Sequence, residues 1–290
     1  MKEILLYRGC TTPVRLPAYE AATIAVLKKL GVSVLEMNDV NCCGAQYIES
    51  LSRSAYAAMS GRILALAEEE GKDILALCGA CSGSLKINKH YLDNNEAARR
   101  ELNDILAEEG LRYSGKARVR HLLQVLSEDI GYSEIERAIV RPYEGIKLAA
   151  HYGCHVTRPY DIVGVDDPEN PTIIDRIVEL AGGEAVDYAG KTRCCGGPIL
   201  AMDPSTAAKI GLEKIHNIAA AGAQGIVTAC VFCDIQLTQV QFGESQESVA
   251  KIPVIPVVQY LGVAMGISED VLGLQMNKIS PHAIISAGGR

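Results

Sequence analysis

The sequence predicts an α/β protein made of two duplicated, Rossmann-like halves with parallel strands. Three observations carry this. The 290-residue chain is 48% apolar and 22% charged, an ordinary balance for a folded chain with a sizeable core. Its ten cysteines fall in two matched sets. Short, nearly continuous apolar runs alternate with helical patterns in both halves, as parallel α/β units require.

The duplication is read from spacing. Cysteines stand at 10, 42, 43, 78 and 81, and again at 154, 194, 195, 230 and 233. Each set runs Cys, then Cys-Cys-Gly, then Cys-x-x-Cys. Cys43 to Cys78 and Cys195 to Cys230 are both intervals of 35 positions. The last four members repeat at an offset of 152 and the first at 144, so the second copy carries eight extra residues. The acidic, turn-rich stretch Asp161 to Asn170 is the expected insertion. A duplication accounts for both the length and the cysteine count.

The elements follow in order. Glu3 to Arg8 is expected as a strand leading to Cys10. Pro17 to Leu30 has helical spacing and stops at Gly31, and Val32 to Leu35 reads as a strand. Cys42-Cys43 falls in a loop before an alanine-rich helix, Ser50 to Glu70, ended by Gly71. The run Asp73 to Leu77 is a strand delivering Cys78. Lys86, Lys89 and His90 follow Cys81 on a helix, as surface charges or a partner face. Asn95 to Glu109 and Leu122 to Ile130 read as charged amphipathic helices, and Pro142 to Gly145 as a linker. The second copy repeats the plan. Ile146 to His151 is a strand before Cys154, and Pro171 to Ala181 a helix. Pro198 to Ala221 is a helix after Cys194-Cys195, and Gly225 to Ala229 a strand before Cys230. The expected domains are 1–141 and 146–275, with a loosely held or partner-contacting tail at 276–290.

Composition excludes several classes. The N-terminal apolar run is too short for a secretory signal, and no stretch approaches the ~18 apolar residues of a membrane span. The expected location is therefore cytoplasmic, where thiols stay reduced and disulfides are rare. A net charge of −7 without a basic block argues against a nucleic-acid surface. No Trp and two Phe leave no stacking platform for bases. Neither a Gly-x-Gly-x-x-Gly turn nor a phosphate loop is present, so the sequence carries no nucleotide-binding fingerprint.

What remains is the cysteines. Cys10, Cys78, Cys154 and Cys230 sit just past strand C-terminal ends, where ligands gather in open parallel sheets. Helix N-termini there offer N–H groups to thiolates or sulfides. Gly44, Gly79, Gly83, Gly153, Gly196 and Gly197 permit close backbone approach. Buried free thiols are one reading, but that accounts for one or two cysteines, not for ten in matched sets. Zinc is another, yet a tetrahedral site takes four ligands and each set has five. A cubane iron–sulfur cluster also takes four. Adjacent cysteines diverge and suit a larger cluster, so the pattern points to a polynuclear iron–sulfur site.

The order Cys, Cys-Cys-Gly, Cys-x-x-Cys, repeated once, resembles the cysteine-rich CCG domain family. At this length, with two complete copies, the chain is similar to the family of heterodisulfide reductase B subunits, over about residues 1 to 265. The motif is less specific to the substrate, because relatives include iron–sulfur subunits of glycolate and lactate oxidation and of unusual succinate dehydrogenases. The resemblance implies two CCG domains with cluster sites at the strand C-terminal ends. It implies one noncubane 4Fe–4S cluster on Cys10, Cys42, Cys43, Cys78 and Cys81, and another on Cys154, Cys194, Cys195, Cys230 and Cys233. It also implies a reaction: the CoM-S-S-CoB heterodisulfide, set between the clusters, is reduced to coenzyme M and coenzyme B thiols. The C and A subunits of heterodisulfide reductase, the first with cubane clusters and the second with flavin, are the implied electron-donating partners. His155, directly after Cys154, is a candidate proton donor; it equally suits a hydrogen bond to a cluster sulfide or a carbonyl. Arg8, Arg158, Arg193 and Lys214 are candidates for the sulfonate, carboxylate and phosphate of such a substrate.

Overall fold

The computed structural model describes residues 3–242 and 251–286. Residues 287–290 of the expected tail lie outside that range. Among the described residues, eight short strands form two four-stranded sheets. In the first, β1 (Glu3–Tyr7), β2 (Ser33–Glu36), β3 (Ile74–Ala76) and β4 (Val119–His121) lie in the order β2-β1-β3-β4. In the second, β5 (Lys147–His151), β6 (Glu184–Val186), β7 (Gly225–Thr228) and β8 (Val254–Pro256) lie in the order β6-β5-β7-β8. Every neighbouring pair is parallel. The register repeats as the cysteines do. Leu5 faces Ile74 in the first sheet, and Ala149 faces Ile226, its duplicate pair, in the second.

The central strands are apolar on both faces because helices cover both. Ile4, Leu5, Leu6 and Tyr7 are all buried, as are Leu148, Ala149 and Ala150. The covering helices are α1 (Pro17–Lys29), α2 (Arg53–Glu70), α3 (Gly79–Asn94), α4 (Glu96–Leu106), α5 (Ile173–Leu180), α6 (Pro204–Ala220), α7 (Val231–Gln239) and α8 (Val257–Ala264). Their ends carry ordinary chemistry. The Ser52 hydroxyl accepts from the Ala55 amide at the start of α2, and Gly71 closes it in the left-handed conformation.

The structure departs from the sequence reading in a few places. The helix expected over Pro198 to Ala221 is broken into a 3-10 turn, Gly197–Ile199, and α6. The break is at Asp203, whose carboxylate accepts from the Thr206 amide at 3.0 Å and starts a new helix. Leu122 to Ile130 is a single α-turn running into a π-helix, Val125–Gly131. The 142–145 segment, expected as a linker, is packed against the second half. Tyr143 stacks on Tyr260 with ring centroids 4.4 Å apart, and its amide donates to Ala181 O. Part of the expected tail is also docked: His282–Ile285 is helical, Ile284 and Ile285 are buried, and Ile284 packs against Gly225 of the second sheet.

The two halves are joined through the ends of their sheets. His121, closing β4, accepts from the Leu123 amide at Nδ1, and its Nε2 lies 3.1 Å from Ala229 O of the other half. Lys86 on α3 donates to Val163 O at 2.6 Å, reaching the edge of the second-copy insertion. Among the described residues, no helix is long and apolar enough to cross a membrane.

Candidate metal centres

Each cysteine reaches its site by the same route in both halves. Cys10 and Cys154 follow β1 and β5 after one glycine in the left-handed region, Gly9 (φ +66°) and Gly153 (φ +80°). A Cβ on Gly9 would stand 3.1 Å from Cys81 Sγ, and one on Gly153 the same distance from Cys233 Sγ. Those glycines therefore let the strand end pass over the sulfur. Cys78 and Cys230 immediately precede α3 and α7, and Cys81 and Cys233 lie in the first turns. The paired cysteines come from the loops after β2 and β6. Just after them, Gly44 N donates to Cys42 Sγ at 3.4 Å, and Gly196 N to Cys194 Sγ at 3.3 Å. Gly197 N adds a bond to Cys195 Sγ at 3.4 Å.

The sulfurs of each half converge. Cys42 Sγ is 3.6 Å from Cys10 Sγ, and Cys43 Sγ is 3.5 Å from Cys81 Sγ. All ten cysteines are free thiols. The two sites also adjoin each other: Cys78 Sγ and Cys230 Sγ, duplicates in the repeat, are 3.9 Å apart. A cavity of about 100 Å³ opens among the first set, lined by Cys10, Cys42, Cys43, Cys78 and Cys81 and closed by Phe232 of the second half.

Thiols packed this way cannot all ionise without compensating cations, since each thiolate repels the next. The thiols of each set therefore divide their protons unequally. Contacts with Cys154 and Cys195 push the Cys194 thiol well down, while the same contact with Cys194 pushes Cys195 up. In the first half, bonds from Cys42 and Cys81 hold Cys43 well below its ordinary range. Cys81, in contact with Cys43 and Cys78, is raised well above it. Bound metal cations remove this conflict by letting every thiol ionise.

The other expected site residues are scattered. His155 Nδ1 is 3.4 Å from Cys154 Sγ, beside the second set. Arg8 lines the first cavity and forms ion pairs with Glu20 and Glu36. Arg158 is turned away: it donates to Thr192 O and, at 2.6 Å, to Pro168 O, tying down the insertion loop. Arg193 is exposed and paired with Glu213 at 3.0 Å. Lys214 is a correction. It is 3% exposed, and its ammonium donates to Gly190 O at the head of the Cys194-Cys195 loop. Burial lowers its pKa to about 8, against the pull of Cys233, Cys195 and Cys194. Arg62, at the offset of 152, does the same work in the first half by donating to Asp39 O at 2.6 Å. The two cations are loop clamps.

One residue near the second set was missed in the sequence. His151, the last residue of β5, is buried, and its ring lies against Cys195 and Cys233, the three ligand atoms within 4.8 Å of one another. Both ring nitrogens are buried without a partner. A buried orphan donor beside a thiol set fits a sulfur-rich group bound there. The signal in the sequence was the repeat itself: Tyr7 holds the duplicate position.

A family model for the CCG cysteine-rich domain matches residues 4–86 and 148–238. The chain is 34% identical over 284 residues to the B subunit of the ferredoxin/F(420)H(2)-dependent CoB-CoM heterodisulfide reductase of Methanosarcina acetivorans, covering 96% of this chain and 94% of that one. It is 30% identical over 282 residues to the 8-methylmenaquinol:fumarate reductase membrane anchor subunit of Wolinella succinogenes, covering 96% and 97%. A solved structure of a hypothetical protein from Helicobacter pylori superposes with a TM-score of 0.76 over 95% of this chain and 51% of that one. At 14% identity this likeness shows the fold alone.

Proposed function

The chain belongs to the cysteine-rich CCG domain family, and on that premise we propose that it is the disulfide-reducing subunit of an electron-transfer complex. Its broad class is that of the iron–sulfur oxidoreductase subunits it resembles. The observation that carries the narrower reading is the pairing of two complete five-cysteine sets that meet at Cys78 and Cys230, 3.9 Å apart. In this reading Cys10, Cys42, Cys43, Cys78 and Cys81 hold one noncubane 4Fe–4S cluster. Cys154, Cys194, Cys195, Cys230 and Cys233 hold the other.

When bound, the two clusters supply one electron each to a single disulfide. Reduction of the S–S bond takes two electrons and two protons and leaves two thiols. The residues of this chain do the rest. The cysteine thiolates anchor iron, and the amides of Gly44, Gly196 and Gly197 donate to those sulfurs and help keep them ionised. His155, beside Cys154, holds a proton at its ring for release of a product thiol. Arg8, lining the first cavity, is the basic residue we assign to an anionic group of the substrate. The substrate we assign is CoM-S-S-CoB, with electrons from the partner C and A subunits.

The Wolinella relative, matched over nearly its whole length, favours a second reading in which the clusters relay electrons and meet no disulfide. Electron paramagnetic resonance separates the two. Oxidised protein given either coenzyme M or coenzyme B thiol should develop a cluster signal altered by one of them. A spectrum indifferent to both leaves only the relay.

A further inference from the structure

The two halves differ at one matched position that faces the cysteine sets. Three residues before the first cysteine, at the end of the first strand, stands Tyr7 in one half and His151 in the other. Tyr7 is committed, because its hydroxyl donates to Asn41 O at 3.0 Å. His151 is not. It is 0% exposed, and neither Nδ1 nor Nε2 has a partner. An imidazole carries at least one N–H, and a buried donor without an acceptor is destabilising. The ring lies beside sulfur: His151, Cys195 and Cys233 present their ligand atoms within 4.8 Å of one another.

We infer that His151 donates a hydrogen bond to the sulfur framework of the group held by the second cysteine set, and thereby makes that site easier to reduce than it would otherwise be. The inference rests on the assignment of an iron–sulfur cluster to each set. A donor to sulfur draws electron density from the cluster and favours its reduced state. Five cysteines already fill the ligand set, and His151 lies on a strand rather than on a ligand-bearing loop. The ring is therefore a donor, not a ligand. The consequence is polarity: two sites with the same cysteines are unequal in potential, and an electron entering the first half is drawn toward the second. Tyr7, with its hydroxyl spent on Asn41, gives the first site no such donor.

The test is a reductive titration of the whole chain carrying its clusters, followed by electron paramagnetic resonance. A Cys10→Ala variant identifies the signal of the second site. His151→Phe should lower the midpoint potential of that site, leave the other unmoved, and keep the full iron and acid-labile sulfide. His151→Gln, which restores an amide donor, should return the potential toward wild type, and Tyr7→Phe should move neither site. An unmoved second potential in His151→Phe overturns the inference, and so does loss of iron, which would make the ring a ligand. If His151→Phe does not fold, pulsed resonance on wild-type protein with 15N-labelled histidine takes its place, in a His155→Ala background. A weak nitrogen coupling supports the donor; no coupling, or the strong coupling of a ligand, overturns it. Iron and sulfide measured on the same samples separate the failures. Without them the cluster assignment itself falls; with them, only the role of His151 does.

Discussion

Gly153 shows how little room the sites leave. Its φ of +80° already disfavours a side chain, and a Cβ would stand 3.1 Å from Cys233 Sγ and 3.2 Å from Cys230 Cβ. Gly153→Ala should cost about 1–3 kcal/mol in backbone strain and reduce iron at the second site. Thermal unfolding with iron analysis reads both, and an unchanged melting temperature with full iron would show that the strand end can move. The cysteines themselves give a sharper test. Cys10→Ala and Cys154→Ala should each remove about half of the iron and acid-labile sulfide, since each set of five is proposed to hold one of two equal clusters. Retention of all of it refutes the ligand sets. At this scale the sequence was very informative about cysteines, whose spacing is unmistakable, and poor about cations. Lys214 and Arg193 stand near cysteines in the chain, but one is buried against Gly190 O and the other paired with Glu213 at the surface. Proximity in sequence does not reveal where a long side chain points. The repeat offset does better: it aligns Lys214 with Arg62 and so identifies both as clamps.

At the scale of elements, the central strands β1, β3, β5 and β7 were legible because burial on both faces leaves near-continuous apolar runs. The outer strands β4, β6 and β8 were not. Each is three residues long, β4 contains Arg120, and β8 ends in Pro256. Nothing so short stands out by periodicity, and its pairing with a central strand decides it. Helix starts follow local chemistry that packing then uses. Ser52→Ala removes the bond to the Ala55 amide and should cost about 1 kcal/mol. Denaturant unfolding measures this, with iron content unchanged, because α2 carries no cysteine. A loss of iron alongside would mean that α2 also sets the first site. The Asp203 cap explains why α6 begins where it does, seven residues past the Cys-Cys-Gly-Gly run.

The whole molecule depends on how its halves meet. His121 lies on that seam, fully buried, and its environment pushes its pKa down to about 4, chiefly by desolvation and then by Lys86. The unfolded chain binds a proton near pH 6.5, and the native protein resists until about 4. Across that window the unfolded state holds more protons, so stability falls as pH falls, by about 3 kcal/mol at the lower end. His121→Gln should flatten this dependence when unfolding is compared at neutral and mildly acid pH. Parallel curves for the two proteins would place the acid sensitivity elsewhere. The same seam brings Cys78 and Cys230 together, and with them the two thiol sets. That meeting was not legible in the sequence, which shows two copies but not their docking.

Two sites acting together on one disulfide is the proposal on which the rest depends. Turnover of the coenzyme M–coenzyme B disulfide by the iron-loaded protein, with a reduced dye as donor, tests it head-on. Two thiols should be released for every two dye electrons consumed, and that turnover should be lost in both Cys10→Ala and Cys154→Ala. Protein with full iron and sulfide that releases no thiol, or that keeps its turnover with one set broken, would refute it.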